Sequence, residues 1–289
     1  MEFIVTLVNG ISLGGIYAMI ALGYTMVYGI AKMLNFAHGD IIMVGGYTIL
    51  LFLAVNPIIA VLASVLFCVI LGIIVEKVAY KPLRGASPLA VLITAIGVSY
   101  LLQSLAQIIF GSASKYVPIA SNLGSVTIGA INVSVGTLIT LASTVVIMVS
   151  LSLFVKFTKT GRAMIAVSED KDAARLMGIN INFIISVTFA IGSALAALAG
   201  FFTLIRLPAI TPTFGALPGI KAFTAAVIGG IGSIPGAMLG GILLGVVECI
   251  CNSIPELAPY TIAIEFAILI VILLVKPTGI LGKKRREKV

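Results

Sequence analysis

The ionisable residues that interrupt the apolar segments are the first candidates for chemistry in this sequence. His38 and Asp40 flank Gly39 at the start of one apolar segment, directly after Asn35 and Phe36. Ionisable groups at membrane depth are costly, so they pair with one another or mark a transport path. One interpretation places these residues at a gate or on a translocation path. The other is structural, with Asp40 capping or pairing locally and His38 hydrogen-bonded to backbone carbonyls.

Later apolar segments carry two further acidic residues, Glu248 and Glu265. Glu265 lies well inside its segment, where a lone carboxylate is costly, so we expect it to pair with another helix; a proton relay is the alternative. Arg206 and Lys221 flank the start of the preceding apolar stretch. We expect both outside the membrane, where they either contact acidic groups of a docking protein or snorkel at the interface.

A third candidate is a charged stretch between two apolar segments. Ser168 is predicted to be the N-cap of a short helix, and Glu169 and Asp170 favour the positive end of its dipole. Arg175 would lie in the last turn and Gly178 at the C′ position. The helix would be about 13 Å long and would carry a small apolar face between its charges. Such a helix is suited to docking into a groove of another protein; an ordinary surface loop is the alternative.

The overall composition shows which elements must position these residues. Of the 289 residues, 60% are hydrophobic and only 10% are charged, and the mean hydropathy is +1.23. Soluble domains carry about 25% charged residues, and one globule of this size cannot sequester so much apolar surface. A cytosolic enzyme, a nucleic-acid-binding protein and a disordered chain are therefore excluded, and we expect an integral membrane protein.

Apolar stretches of about 20 residues, the length that crosses a hydrocarbon core, predict seven membrane spans. They are Phe3–Ala31, Gly39–Val55, Pro57–Glu76, Pro88–Phe110, Val133–Val155, Asn182–Ile205 and Ala258–Val275. The stretch Pro218–Glu248 is interrupted at Gly232–Gly236, which leaves two halves of about 14 residues, marginal for crossing the core separately. We expect a re-entrant pair of half-helices buried against other protein, with two short tilted spans as the alternative. The predicted fold class is an all-α polytopic bundle of about seven or eight spans in a single transmembrane domain, residues 1–289.

The distribution of basic residues predicts the orientation of this bundle, because cytoplasmic loops are enriched in lysine and arginine. If the basic tail at 283–289 is cytoplasmic, the predicted spans place 15 of the 18 basic residues inside and leave Lys115, Arg206 and Lys221 outside. We therefore expect the N-terminus outside and the C-terminus inside, with the tail attracted to anionic lipid.

Motifs of other chemistries do not occur in the sequence. Three cysteines, two of them separated by one residue, form a poor metal or disulfide pattern. No GxxxxGK[ST] phosphate loop is present, so we expect no ATP binding by that route. Nothing resembles a nucleophile–base pair, so an enzyme is not expected. Rows of small residues at four-residue spacing, such as Gly10, Gly14 and Ala18, predict close helix packing instead.

Several segments resemble a known family. The segment Glu169–Ile179 looks like the coupling-helix region of ABC-importer permeases, and Leu34–Asp40, Gly219–Phe223, Ile228–Ala237 and Lys276–Gly282 are similar to family signatures. Together they resemble the branched-chain amino acid (LIV-type) ABC transporter permeases. The length is similar to that of the shorter H-type subunit.

This resemblance implies the partners and the division of labour. An extracytoplasmic substrate-binding protein would deliver leucine, isoleucine or valine, and two ATP-binding subunits would use the ATP, so that no cofactor is bound by this chain. The second permease subunit would be an M-type paralogue or another copy. The location would be the inner membrane of a prokaryote, and the fold would resemble cobalamin-type rather than maltose-type permeases. The residues implied in contact with the ATPase are Ser168, Glu169, Asp170, Ala173, Ala174, Arg175 and Gly178.

Other functions stay open at this point. Permeases for urea, amides and other small organic solutes resemble this sequence too. A proton-coupled secondary transporter would use His38, Asp40 or Glu265 as proton carriers, and a channel would need rings of polar groups from several copies. The predicted docking helix favours the ABC permease, because a secondary transporter has no use for one.

Overall fold

Long apolar stretches with capping residues at their starts form the helices of this protein. The computed structural model describes residues 2–119, 124–128 and 131–282. Asn56, Ser87 and Ser233 each cap a helix whose first turn contains proline, a combination typical of helix starts. The helices are α1 (Glu2–Ala31), α2 (His38–Phe52), α3 (Pro57–Val75), α4 (Pro88–Phe110), α5 (Val135–Phe157), α6 (Lys159–Glu169), α7 (Lys171–Leu176), α8 (Ile181–Arg206), α9 (Ala216–Gly229), α10 (Ile234–Ser253) and α11 (Thr261–Val275).

Short turns and strands complete these elements. A π-helical turn (Glu76–Tyr80) and a 3₁₀ turn (Lys81–Leu83) extend α3, and a 3₁₀ turn (Ala258–Tyr260) precedes α11. The strands are β1 (Lys115–Tyr116), β2 (Ser125–Ile128), β3 (Ile131–Ser134) and β4 (Ala209–Ile210). They form two antiparallel pairs, β1 with β4 and β2 with β3, in which Lys115 is opposite Ile210 and Ser125 is opposite Ser134.

Seven helical segments of the described chain are long and apolar enough to cross a membrane: α1, α3 with the two turns that extend it, α4, α5, α8, α10, and α11 with the 3₁₀ turn that precedes it. The predicted polytopic helical fold is therefore confirmed. Two shorter apolar helices, α2 and α9, have 15 and 14 residues and span only about 22 Å each, less than the hydrocarbon core of about 30 Å. The predicted span Gly39–Val55 is therefore wrong, because α2 is too short to cross the core by itself.

The prediction of two half-helices of about 14 residues each is correct for the first helix and wrong for the second. The first half, α9, has the expected 14 residues, but α10 has 20 and is long enough to cross the core by itself. The chain breaks at Gly230 and Gly232, whose φ angles of 105° and 95° favour glycine. The helix resumes at Ile234 because proline is well accepted in a first turn.

The central contact of the bundle is the antiparallel packing of α1 against α10, and glycine makes it close. A Cβ atom on Gly14 would lie 2.6 Å from the Cα of Ile242, and one on Gly241 would lie 2.7 Å from the Cβ of Ala18. Larger side chains would therefore separate the two helices. The predicted role of the row formed by Gly10, Gly14 and Ala18 in close packing is confirmed.

The two ends of the bundle differ in charge. Ten of the thirteen lysines and arginines in the described residues lie where α1 ends, and we call this side the basic end. Residues 276–282 lie there too, because Ile280 and Leu281 donate backbone hydrogen bonds to Ile228 and Gly229 at the end of α9. The strands lie at the opposite end. The predicted basic tail at 283–289 lies outside the described residues.

Candidate functional site

The four residues predicted for a gate lie where α1 ends and α2 begins: Asn35 and Phe36 in the break between the helices, His38 and Asp40 in the first turn of α2. Lys32 ends α1 with a φ angle of 63°, and the chain then runs without helix to Ala37. Asn35, His38 and Asp40 are each at most 3% exposed. A Cβ atom on Gly23 of α1 would lie 2.6 Å from Cε1 of His38. The short helix α2 thus begins about two turns inside the bundle rather than at its surface.

Polar and aromatic contacts hold this break in place. Tyr80 donates a hydrogen bond to Oδ1 of Asn35 at 2.8 Å. Gln103 of α4 donates one to Oδ1 of Asp40, also at 2.8 Å. Asp40 therefore pairs with a helix distant in the sequence, α4, rather than locally as its structural interpretation expected.

An aromatic cluster closes the other side of the break. The ring of Tyr24 meets His38 edge-on at a centroid distance of 4.8 Å and contacts Phe223 of α9 at 5.8 Å. Phe36 packs against the same Phe223 at 5.4 Å. All four predicted gate residues are brought together, and their role in transport stays a prediction.

The second short helix, α9, begins at the same buried place. A Cβ atom on Gly39 would lie 2.6 Å from the carbonyl oxygen of Gly215, and one on Gly219 would lie 3.0 Å from the Cα of Gly39. Two helix N-termini, those of α2 and α9, thus meet beside the break. Such broken helices are tolerated inside a membrane only where other protein or a cavity covers them.

The charged stretch between α5 and α8 forms two helices rather than one. The chain breaks at Asp170, whose side chain caps α7 by accepting hydrogen bonds from the N–H groups of Asp172 and Ala173, both at 3.0 Å. The predicted N-cap, Ser168, instead lies in the last turn of α6, where its hydroxyl donates to the carbonyl of Ile165. That prediction was wrong because α6 is capped by Thr158 and runs through Ser168 to Glu169.

The end of α7 agrees with the prediction. Gly178 has a φ angle of 78° and donates to the carbonyl of Arg175, while Ile179 donates to that of Ala174. This pair of bonds is a Schellman ending with glycine at C′. The expected apolar face is changed, because Ala174 is buried against the bundle. Two large apolar side chains, Leu176 and Met177, are instead 89% and 82% exposed.

A cluster of buried charges joins four helices elsewhere in the bundle. The Nζ atom of Lys221 lies 2.8 Å from Glu248 and 3.2 Å from Glu265. Tyr17 of α1 donates a hydrogen bond to the second oxygen of Glu248 at 2.7 Å. The predicted pairing of Glu265 with another helix is confirmed.

The expected surface position of Lys221 is wrong, because this residue is 8% exposed. The physical reason is the buried start of α9, which places Lys221 between α1, α10 and α11. The signal was present in the sequence: single opposite charges in neighbouring apolar segments are expected to find one another.

The sequence matches the family model described as the permease component of branched-chain amino acid transport systems, over residues 6–273. The chain belongs to this permease family. It is 42% identical to the high-affinity branched-chain amino acid transport system permease protein BraD of Pseudomonas aeruginosa, over 100% of this chain and 98% of that protein. It is 39% identical to LivH of Escherichia coli, with the same two coverages. A probable branched-chain amino acid transport permease, LivH of Methanocaldococcus jannaschii, is 30% identical over 91% of this chain and 88% of its own length.

The family assignment confirms the recognition made from the sequence motifs. The protein is a multi-span transport permease component rather than an enzyme. Matches at nearly full length on both sides mean that the broken helices and the α6–α7 segment all fall within the aligned region.

A direct contact links the α6–α7 surface of the permease to the break after α1. The ammonium group of Lys171, the first residue of α7, donates to the carbonyl oxygen of Ala31 at 3.1 Å. Partial burial lowers the pKa of Lys171, and the nearby positive charge of Arg84 lowers it further. This bond connects the first residue of α7 to the last residue of α1, directly before the unwound segment.

The opposite end of the permease carries a polar cavity of about 450 Å³. Arg206, one of the basic residues expected there, lines it and donates to the carbonyl of Asn9 at 3.4 Å. Thr137 and Asn252 also line it, and among the described residues no carboxylate belongs to the lining. One guanidinium among neutral polar groups suits a carboxylate ligand.

Proposed function

We propose that this permease forms the membrane path of an ATP-driven importer for leucine, isoleucine and valine. The observation that carries the proposal is full-length similarity to curated branched-chain amino acid permeases. The α6–α7 surface supports it, because its exposed apolar side chains have no role in a chain that works alone. No nucleic acid or cofactor takes part, and partner subunits would use the ATP.

The docking surface for the ATP-binding subunits is formed by α7 and the end of α6. Leu176 and Met177 project from it, flanked by the charges of Glu169, Asp170 and Arg175. Ser168 and Ala173 lie on the same segment, and Gly178 ends it. ATP-driven movement of this surface would reach the break through the bond between Lys171 and Ala31.

The translocation path, in our proposal, passes the break that contains Asn35 and Phe36 and the first turn of α2 with His38 and Asp40. The N-termini of α2 and α9 meet there, and helix N-termini favour the carboxylate of an amino acid. Half-helices that meet near the membrane midplane serve this purpose in transporters. Separation of the Gly39–Gly215 contact would open the path.

The orientation follows from the positive-inside rule. The basic end would face the cytoplasm, with the N-terminus outside and the C-terminus inside the cell, in the inner membrane of a prokaryote. A substrate-binding protein would then dock at the opposite end, beside the cavity lined by Arg206. The second permease subunit would be an M-type paralogue or a second copy of this chain.

The proposal is tested by purifying the tagged permease from its native membrane in mild detergent and reconstituting the complex in vesicles. We expect co-purified ATPase activity and ATP-dependent uptake of labelled leucine, isoleucine or valine that excess urea does not reduce. Uptake driven by a proton gradient without ATP would contradict the ABC assignment. Competition by urea or an amide would change the proposed substrate but leave the assignment to an ABC importer intact.

The docking surface is tested in the same preparation with Leu176→Asp combined with Met177→Asp. We expect loss of co-purified ATPase, because charges replace the apolar side chains that dock. The matched control is Leu207→Asp, which changes a leucine after α8 that is 59% exposed; we expect it to leave co-purification unchanged. Retention of the ATPase by the double variant would refute this surface.

A further inference from the structure

A second cavity, of about 360 Å³, lies at the basic end between the turns that follow α3 and the start of α8. This volume is within the range of small-molecule sites. Lys77, Lys81 and Arg84 line one side of it. Neither the α6–α7 docking surface nor the buried break uses this cavity.

The charges of this cavity do not cancel. Its single carboxylate, Glu76, is buried and already bonded to Arg84 and, at 2.7 Å, to the hydroxyl of Ser186. Within the described residues, Lys77 and Lys81 form no ion pair. Two ammonium groups thus stay uncompensated beside a neutralised carboxylate.

Two further features add to this positive potential. Asn180 and Asn182 at the N-terminus of α8 line the cavity, so the positive end of a 26-residue helix faces it. The buried Nε–H of Arg84 has no hydrogen-bond partner in the described chain. The π-helical turn fixes the arrangement, because it buries Glu76 while it leaves Lys77 exposed; π turns are frequent at functional sites.

The other side of the cavity is apolar. Ile73 of α3 and Val187 and Ala190 of α8 line it, and both helices belong to membrane spans. On α3 the apolar surface continues at Ile70 and Ile74, both about half exposed. A free phosphate ion would leave this surface uncovered, whereas a lipid would place its headgroup on the lysines and its acyl chains along the helices.

We propose that this cavity binds the headgroup phosphate of an anionic phospholipid. Lys77 and Lys81 contact the phosphate oxygens, and the acyl chains lie against Ile73 and Val187. Basic pockets between membrane helices are suited to such headgroups. The bound lipid joins α3 to α8 at the end that carries α7. This inference does not depend on the transported solute.

The test measures lipid retained by the permease complex after purification in mild detergent, by native mass spectrometry with added phosphatidylglycerol. Lys77→Gln combined with Lys81→Gln should lower retention at least about tenfold, since each lysine near a membrane surface contributes about 1 kcal/mol. The matched control is Lys156→Gln with Lys159→Gln, which removes two exposed lysines from the same end and should retain the lipid. Equal loss from both variants would show general surface attraction and overturn the site.

A charge-neutral variant and two other ligands complete the test. Val187→Phe fills the apolar side of the cavity and should also reduce retention; unchanged retention would overturn this location. Phosphatidylcholine should not be retained in place of the anionic lipid. Glycerol 3-phosphate should not displace the lipid, and displacement at equal concentration would mean a site for free phosphate.

Discussion

The buried cluster around Lys221 and the exposed α6–α7 surface use charged residues in opposite ways. In the cluster, the ammonium group is satisfied within the chain by Glu248 and Glu265. On the surface, Asp170 caps a helix while Leu176 and Met177 remain uncovered. The comparison teaches that the buried charges here find their partners within the chain, whereas the exposed segment, in our proposal, is completed by another molecule.

The largest effect is expected from removing the cation of the buried cluster. Lys221→Met leaves the buried Glu265 and the partly buried Glu248 without this counter-ion, and breaking a buried pair costs about 3–5 kcal/mol. We expect the free energy of unfolding in mixed micelles to fall by that amount, and to recover when Glu248→Gln and Glu265→Gln are added. The exposed control, Lys159→Met, should change it by no more than about 0.5 kcal/mol.

On the exposed α6–α7 surface, we expect a substitution to change the affinity for a partner rather than the stability of the fold. Met177→Ser removes an apolar side chain that contacts little within the fold, so stability should be unchanged. Docking would bury this side chain, which is worth about 1.5–3 kcal/mol, so the affinity for the ATP-binding subunits should fall at least about tenfold. Titration of the purified ATPase onto the permease measures this. A drop in stability without a change in affinity would assign Met177 to the fold.

A smaller effect distinguishes the observed helix cap from the expected one. Asp170→Ala removes two hydrogen bonds at the start of α7 and should destabilise that helix by about 1 kcal/mol. Ser168→Ala, at the predicted but unused cap position, should cost distinctly less. Hydrogen exchange of the α7 amides measures both variants. Equal effects would contradict the assignment of Asp170 as the cap.

The smallest effect concerns the pH dependence of Lys171. Because burial and Arg84 lower its pKa in the folded chain, the unfolded chain binds more protons between the folded pKa and the ordinary value of about 10.5. The contribution of Lys171 to stability therefore rises with pH across that window. Thermal unfolding between about pH 9 and 10.5 should show this slope relative to Lys171→Gln. An identical slope in the variant would show that a group other than Lys171 causes the pH dependence.

Much of the fold could be predicted because apolar runs and capping residues are local signals. The starts of α3 and α4 at Pro57 and Pro88 coincide with the predicted spans. The cap at Asp170 could not be chosen in this way, because Ser168 is an equally good capping residue. The tertiary structure decided it, because α6 is buried through Met164 and Val167 and runs past Ser168 to Glu169.

The sequence by itself determined that this chain is a helical membrane permease, because composition, charge distribution and family motifs do not depend on three-dimensional contacts. Only the tertiary structure decided the depth of α2 and α9. Both begin inside the bundle because Gly39 and Gly215 allow their backbones to touch. That depth buries Lys221 with Glu248 and Glu265, since a helix that starts inside the protein carries its first charged residue into the interior.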